Sequence, residues 1–234
     1  MSMIINPYRF GPAGSGLTGG FVSYYENNAN TNTYTYTSAN FGTEDPNRFI
    51  AIIFQGIRPA STLARSVGSV TIGGISAVVA VQQDSPAAHK PFSAIAYAKV
   101  PTGTSGTITV QIADSLALLY ADVAVYRVIS GSGIIGVADT LAEVNGASDQ
   151  AVLGSITTVD SGFVIAGSMQ ANGGTATIAG SLTEDVENDT SSAEYFNAYS
   201  AEVNAGAIDV TITTSNSGIG AGDMVGVAAS FRDF

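Results

Sequence analysis

Short runs of alternating apolar and polar residues recur along the chain, and clusters of Gly, Asn, Asp and Pro separate them. Runs of this kind are typical of β-strands with one buried face, whereas the spacing that marks an amphipathic helix is nearly missing. The stretch "TYTYT" (33–37) alternates Thr with Tyr, and "RFIAIIFQ" (48–55) is almost continuously apolar. The pattern therefore predicts an all-β fold.

Three stretches give more specific predictions. Segment 69–84 contains Gly73 and Gly74, and paired glycines supply the positive φ angles of a tight hairpin, so two strands should meet there. Neither face of segment 119–130, "LYADVAVYRVIS", is wholly polar, which indicates a central strand. Segment 131–150 is the least strand-like, so we expect a long crossover with room for a helical turn at "ADTLAEV".

The number of strand-like segments fixes the predicted architecture. About a dozen strands are more than one sheet carries without folding into two packed layers. We predict a jelly-roll-like antiparallel β-sandwich over residues 21–234, preceded by an extended N-terminal arm with a Gly-rich tether over residues 1–20. Residues 92–112 are weakly echoed by residues 194–214, so a duplication with its junction around 131–150 is an alternative to the single intertwined sandwich that we favour.

Charge and composition narrow the partners. The chain has 8 basic and 19 acidic residues, a net charge of -11, which repels nucleic acid and anionic lipid. No apolar run reaches the length of a membrane span, and the N-terminus lacks the features of a secretory signal peptide. The chain has no cysteine, so it has neither a disulfide framework nor a thiolate metal site. We expect neither nucleic acid nor a membrane as a partner.

Candidate chemistry is sparse. The one histidine, His89, lies between prolines, and we expect it to be a solvated surface residue. The Gly-rich stretches lack the lysine of a phosphate-binding loop. We therefore predict no catalytic, cofactor-binding or metal-binding residue, and no enzyme. Acidic residues concentrate in "LTEDVENDTSSAEY" (182–195), where we expect a solvated hairpin loop; a calcium site and a glycosidase carboxylate pair are the alternatives there. These residues are Glu184, Asp185, Glu187, Asp189 and Glu194.

Tyrosines suggest a second kind of surface. Tyr24, Tyr25, Tyr34 and Tyr36 flank the Asn-rich stretch "ENNANTNT", and tyrosine offers a flat apolar face with a hydroxyl to a sugar. Tyr34 and Tyr36, however, share one face of one strand, so cross-strand packing explains them as well. We favour packing.

The most distinctive stretch is the N-terminal "IINPYRF". Asn-Pro favours an extended or turn conformation, which would display Ile4, Ile5, Tyr8 and Phe10 as apolar pegs and leave Arg9 free to pair with a carboxylate. The following "GPAGSGLTGG" is a flexible tether by composition. We predict that these five residues dock on a partner; a frayed terminus and an extra edge strand on the protein's own sandwich are the alternatives.

The opening "MIINPYRFG", followed by "YTYTSANFG", "RFIAIIFQGIR", "GSVTIGGISAVVAVQQD" and "AIAYAKVPTGTSGTITVQIAD", resembles structural proteins of tailed bacteriophages, of the tail, fibre or head-decoration kind. The resemblance covers residues 1 to about 130. It implies a non-enzymatic β-sandwich displayed on the virion, anchored by its N-terminus to capsid or tail proteins and oligomeric, with a trimer as one option. The alternative function is a carbohydrate-binding adhesin that recognises a host surface glycan, and a glycoside hydrolase ranks third.

Overall fold

The computed structural model describes residues 16–58, 64–86, 90–113, 117–145, 150–171, 176–179, 181–190, 194–214 and 223–234. The all-β prediction is confirmed, because every element of the described residues is a β-strand. Within these residues, no helix is long and apolar enough to span a membrane. The strands are β1 (Leu17–Asn27), β2 (Thr33–Asn40), β3 (Arg48–Arg58), β4 (Val67–Ile72), β5 (Ile75–Ser76), β6 (Val78–Asp84), β7 (Lys90–Lys99), β8 (Ser105–Ile112), β9 (Tyr120–Ser130), β10 (Ile135–Val144), β11 (Gln150–Thr158), β12 (Gly162–Gln170), β13 (Ala176–Ala179), β14 (Thr183–Thr190), β15 (Glu194–Val203), β16 (Gly206–Thr214) and β17 (Met224–Asp233).

The strands form four antiparallel sheets, two from each half of the chain. In the first half, the inner sheet has the order β1-β9-β3-β7-β6 and the outer sheet the order β2-β8-β4-β5. In the second half, the inner sheet has the order β10-β17-β12-β15-β14 and the outer sheet the order β11-β16-β13. The two inner sheets pack face to face, and we call the interface between them the seam.

The strand order of the first half is repeated in the second. Strands β1, β9, β3, β7 and β6 correspond in order to β10, β17, β12, β15 and β14, and β2-β8-β4 corresponds to β11-β16-β13. The sequence echo between residues 92–112 and 194–214 falls on β7–β8 and β15–β16, which are corresponding strands. In each half the pairs are nested, first with last, second with second-last and so on. The nesting is compatible with a jelly roll, which stays a prediction.

Three apolar cores separate the four sheets, so the molecule has four layers instead of the two that we expected. One core lies in each half between its inner and outer sheets, and the third fills the seam. Strand β3 shows why its sequence is almost continuously apolar: Ile50 and Ile52 enter the core of the first half, whereas Ala51 and Ile53 enter the seam. Ring pairs cross the seam at Tyr24–Phe196 (5.0 Å), Tyr97–Phe231 (5.3 Å) and Tyr126–Phe163 (6.4 Å).

Two local predictions are confirmed. Gly73 and Gly74 have φ angles of 61° and 79° and turn β4 into β5. Segment 119–130 contains β9, which lies between β1 and β3 and is buried on both faces.

Two predicted non-strand segments are wrong. The crossover expected at 131–150 contains β10, and the solvated loop expected at 182–195 contains β14. Both are edge strands of the second inner sheet, with one paired neighbour each. An edge strand tolerates charged residues because one side of it remains in water. The acidic residues that suggested a loop or a crossover therefore do not interrupt either strand.

Candidate functional site

The predicted docking residues Ile4, Ile5, Tyr8, Arg9 and Phe10 lie outside the described residues. The structure describes the beginning of the body, directly after this predicted arm. The described chain starts at Gly16, and β1 starts at Leu17. We expected the tether to extend to residue 20. The structure ends it earlier, because residues 17–20 already pair with residues 127–130 of β9.

Gly16 and Leu17, which we call the root of the predicted arm, are bonded to the second half and to the linker between the halves. The Leu17 N–H donates to the Ser161 carbonyl at 2.7 Å, and the Gly131 N–H donates to the Gly16 carbonyl at 3.2 Å. Gly16 has a φ of 75°, and a Cβ placed on it would lie 2.1 Å from the Ser161 Cβ. Ser161 itself has a φ of 54°, which is unusual for a residue with a side chain. Only a glycine fits this junction without displacing the turn before β12.

Two shallow depressions lie beside this root, a third lies next to them at the turn between β15 and β16, and Glu202 lines all three. Their volumes are about 310, 410 and 220 Å³. Phe21 and Arg127 line the first, and Ser161 and Asn204 line the second. The Glu202 carboxylate accepts a hydrogen bond from the Gly19 N–H at 3.2 Å. The Glu202 side chain therefore satisfies a main-chain donor on the unpaired side of edge strand β1.

A buried amide joins the two halves in the seam. Gln55 of β3 is fully buried, and its amide donates to the Ser168 carbonyl of β12 at 2.8 Å and accepts from the Ser168 N–H at 3.0 Å. The Gln55 oxygen also accepts from the Ser93 hydroxyl at 3.0 Å. This amide orientation is assigned from the partners that it satisfies. Gln55 thus bonds to a main-chain segment of the other half as a neighbouring strand would.

Next to Gln55 in the first inner sheet is a buried carboxyl. Asp122 of β9 pairs in register with Gln55 on one side and with Glu26 of β1 on the other. Asp122 is fully buried; the Tyr24 hydroxyl interacts with its carboxylate, but among the described residues neither oxygen has a hydrogen bond of ordinary length and angle. Desolvation raises its pKa to about 7; the nearby Tyr24 hydroxyl lowers the pKa and the Glu26 charge raises it.

Asn188 of β14 reaches this carboxyl's neighbours from the second half. Its amide nitrogen donates to the Tyr24 hydroxyl and to the Glu26 carboxylate, each at 2.6 Å. Burial, together with the charge of Asp122, raises the Tyr24 pKa far above its ordinary range, so Tyr24 stays neutral. We call Tyr24, Glu26, Asp122 and Asn188 the seam-edge cluster.

A second carboxyl lies on the same strand β14. Burial raises the pKa of Asp185, although interactions with the Ser200 and Tyr126 hydroxyls act in the opposite direction. Tyr126 is fully buried in β9, and burial raises its pKa well above the ordinary value. The edge of the seam between β1, β9 and β14 therefore holds two carboxyls whose pKa values are raised by burial.

A buried guanidinium organises two loops at the first half. Arg48 is fully buried and donates to the carbonyls of Val100 (2.7 Å), Gly42 (3.0 Å), Thr43 (3.0 Å) and Gly103 (2.6 Å). Desolvation is the main factor that lowers its pKa. Arg48 joins the segment before β3 to the segment before β8, and this role is structural.

The tyrosine prediction is confirmed in favour of packing. Tyr34 and Tyr36 are buried, and their hydroxyls donate to the carbonyls of Leu118 at 2.8 Å and Ala121 at 2.9 Å. The Tyr25 hydroxyl is half-buried with its ring and accepts from the Asn40 N–H at 2.7 Å. Tyr34 and Tyr36 are therefore not available to a sugar.

Two of the other sequence candidates come together on β14: burial and the neighbouring Glu184 carboxyl raise the pKa of Glu187. His89 lies outside the described residues. Glu184 of β14 accepts from the Tyr199 hydroxyl at 3.0 Å. Across the described ranges, no group of three or more His, Asp or Glu side chains is arranged to hold a metal ion.

Sequence reasoning missed Arg48, Gln55 and Asp122. Each is a polar residue in a run that is otherwise apolar: "RFIAIIFQ" begins with Arg48 and ends with Gln55, and "YADVAV" contains Asp122. A polar residue in a strand buried on both faces must find a partner or lose its charge. That rule could have selected all three residues, although not their partners.

No protein-family model, no curated protein and no solved structure matches the chain. The proposals below therefore depend on the geometry of its own residues and on the sequence features described above.

Proposed function

We propose that the protein is a non-enzymatic structural protein of a tailed-bacteriophage virion, and that residues 1–15 attach it to capsid or tail proteins. The observation that supports this proposal best is the root of the arm. Leu17 and Gly16 are bonded to Ser161 in the second half and to Gly131 in the linker between the halves. The arm thus starts from a junction of both halves and not from a loose end.

The pairing of β1 suits an attachment that must resist pulling. β1 pairs with β9 from Leu17↔Ser130 to Asn27↔Ala121, with one bulge near Phe21. Residues 1–15 are thus followed, after Gly16, by a strand that a row of main-chain hydrogen bonds holds to β9. Asn188 adds a bond from the second half to Tyr24 and Glu26 of the same strand. Homo-oligomerisation, including a trimer, stays part of the proposal because multiple copies would add avidity to a short arm.

Deletion of residues 2–15 in the phage genome tests the attachment. This deletion leaves Gly16 and β1 intact, so we expect an unchanged melting temperature of the purified protein and its loss from purified virions, measured by mass spectrometry. Replacement of Ile4, Ile5, Tyr8 and Phe10 by serine should give the same loss.

The matched control for this deletion replaces residues 11–15, "GPAGS", by a Gly/Ser stretch of equal length, and it should keep normal occupancy. Full occupancy of the virion by the deletion variant, folded and stable, would overturn the proposal.

Binding of a host glycan is a second proposal. The candidate site is a depression beside the root of the predicted arm. Ser161, Glu202 and Asn204 supply polar groups to the depression of about 410 Å³, and hydrogen bonds of this kind orient sugars in shallow sites. A glycan array with the full chain tests it: binding should disappear in Glu202→Ala. Binding that persists in this variant would exclude the depressions as the glycan site.

A further inference from the structure

The seam-edge cluster places a fully buried carboxyl between the two halves of the molecule. Asp122 lies in the central part of the first inner sheet, and β14 of the second half covers this edge through the contacts of Asn188 with Tyr24 and Glu26. The Phe196 ring from β15 packs on Tyr24 at 5.0 Å. Any change in the charge of Asp122 therefore acts on the contact between the halves.

We infer that the seam edge is a proton-sensitive joint: Asp122 holds a proton while β14 is packed against β1, and loss of this proton loosens the contact between the two halves.

Among the groups that face Asp122, the Tyr24 hydroxyl favours its charged form, but desolvation and the Glu26 charge oppose ionisation and together outweigh it. Glu26 and Tyr24 face it from β1, and Gln55 is its register neighbour on β3. Tyr36 approaches from the outer-sheet side, where its hydroxyl donates to the Ala121 carbonyl. Among the described residues no Lys or Arg acts on the Asp122 carboxyl, and the acidic Glu26 opposes its ionisation. A buried carboxylate with a like charge and no cation beside it favours the neutral acid.

The direction of the pH effect follows from the pKa. Burial raises the pKa of Asp122 from 3.8 to about 7, so the packed state binds more protons than an opened state between these values. Stability of the seam edge therefore falls as the pH rises from about 4 to about 7 and stays low above it. The raised pKa of Asp185 on β14 acts in the same direction.

Hydrogen–deuterium exchange on the full chain tests the inference. Segments 17–27 and 183–190, which are β1 and β14, are followed between about pH 5 and about pH 9 in the wild type and in Asp122→Asn. Comparison of the two proteins at each pH removes the intrinsic pH dependence of amide exchange. If ionisation is coupled to opening, exchange of the wild type relative to Asp122→Asn should rise by roughly tenfold per pH unit up to about pH 7 and then level off.

A second variant allows the inference to be tested even if Asp122→Asn does not fold. Glu26→Gln keeps the carbonyl oxygen that accepts from Asn188 but removes the charge that raises the Asp122 pKa. The transition should therefore lie at lower pH in this variant than in the wild type. Asp209→Asn, an exposed carboxylate in β16, is the matched control and should leave the transition in place. The inference would be overturned if exchange in the wild type and in Asp122→Asn had the same pH profile, or if the transition in Glu26→Gln lay at the wild-type pH. It would also be overturned if calcium abolished the pH transition in the wild type only, because that result would indicate a cation site.

Discussion

At the scale of single residues, the polar side chains buried inside the strands have different partners and different roles. Arg48 keeps its charge because main-chain carbonyls surround the guanidinium, whereas desolvation raises the pKa of the buried Asp122 to about 7. Gln55 has no charge and bonds to the main chain of the other half. The sequence marks all three as polar residues in apolar runs, but their roles depend on which partners the fold supplies.

We expect Arg48→Lys to lower the free energy of unfolding by about 3 kcal/mol, because an ammonium group cannot satisfy carbonyls on two loops and leaves buried acceptors unpaired. Chemical denaturation at neutral pH measures the change. Arg127→Lys is the control: Arg127 is half-buried and its Nε donates to the Thr43 carbonyl, so the loss should stay below about 1 kcal/mol. Equal losses in the two variants would contradict the structural role of Arg48.

At the scale of elements, edge strands were the least predictable. Central strands β3 and β9 are buried on both faces, so their apolar runs identify them. Strands β10 and β14 carry Asp and Glu residues, so their sequences predicted a crossover and a loop. Each is a strand because a neighbouring strand pairs with one side of it, and the local sequence does not indicate this pairing. The start of β1 was misplaced for a related reason: "LTGG" resembles a tether, yet β9 and Ser161 hold it in a sheet.

Two glycines with similar backbone angles separate steric from conformational effects at the root of the arm. Gly74 has a φ of 79°, and a Cβ added to it would meet only open space, so Gly74→Ala should cost about 1 to 2 kcal/mol from the backbone alone. Gly16→Ala adds a clash with Ser161 and should cost about 3 kcal/mol or more. Thermal unfolding measures both, and an equal cost would show that Gly16 does not pack against Ser161.

At the scale of the whole molecule, two halves with the same strand order are stacked through their inner sheets. The seam is filled by apolar residues and ring pairs from both halves, so neither inner sheet is covered when its partner is absent. The C-terminal strand also holds the linker between the halves, since Asp233 accepts from the Ser130 hydroxyl at 2.6 Å and from the Ser132 N–H at 3.1 Å. The two halves should therefore behave as one cooperative unit.

Cleavage of the linker tests this cooperativity. A protease site inserted between Ser132 and Gly133 and then cut should yield two fragments that co-elute in size-exclusion chromatography and separate only in denaturant. The uncut insertion variant is the control for damage by the insertion itself. Fragments that separate in native buffer would show that the seam does not hold the halves together without the linker.

The sequence by itself determined the class of the fold and the identity of its central strands, because alternation and continuous apolar runs report burial directly. The echo between residues 92–112 and 194–214 falls on corresponding strands, but the strand order, and not the sequence, shows that these strands correspond. Only the tertiary structure decided that the sheets stack in four layers, that β10 and β14 are strands, and that Asp122 is buried in the seam without a cation beside it. These features depend on contacts between residues distant in the chain, and local patterns of polarity do not specify such contacts.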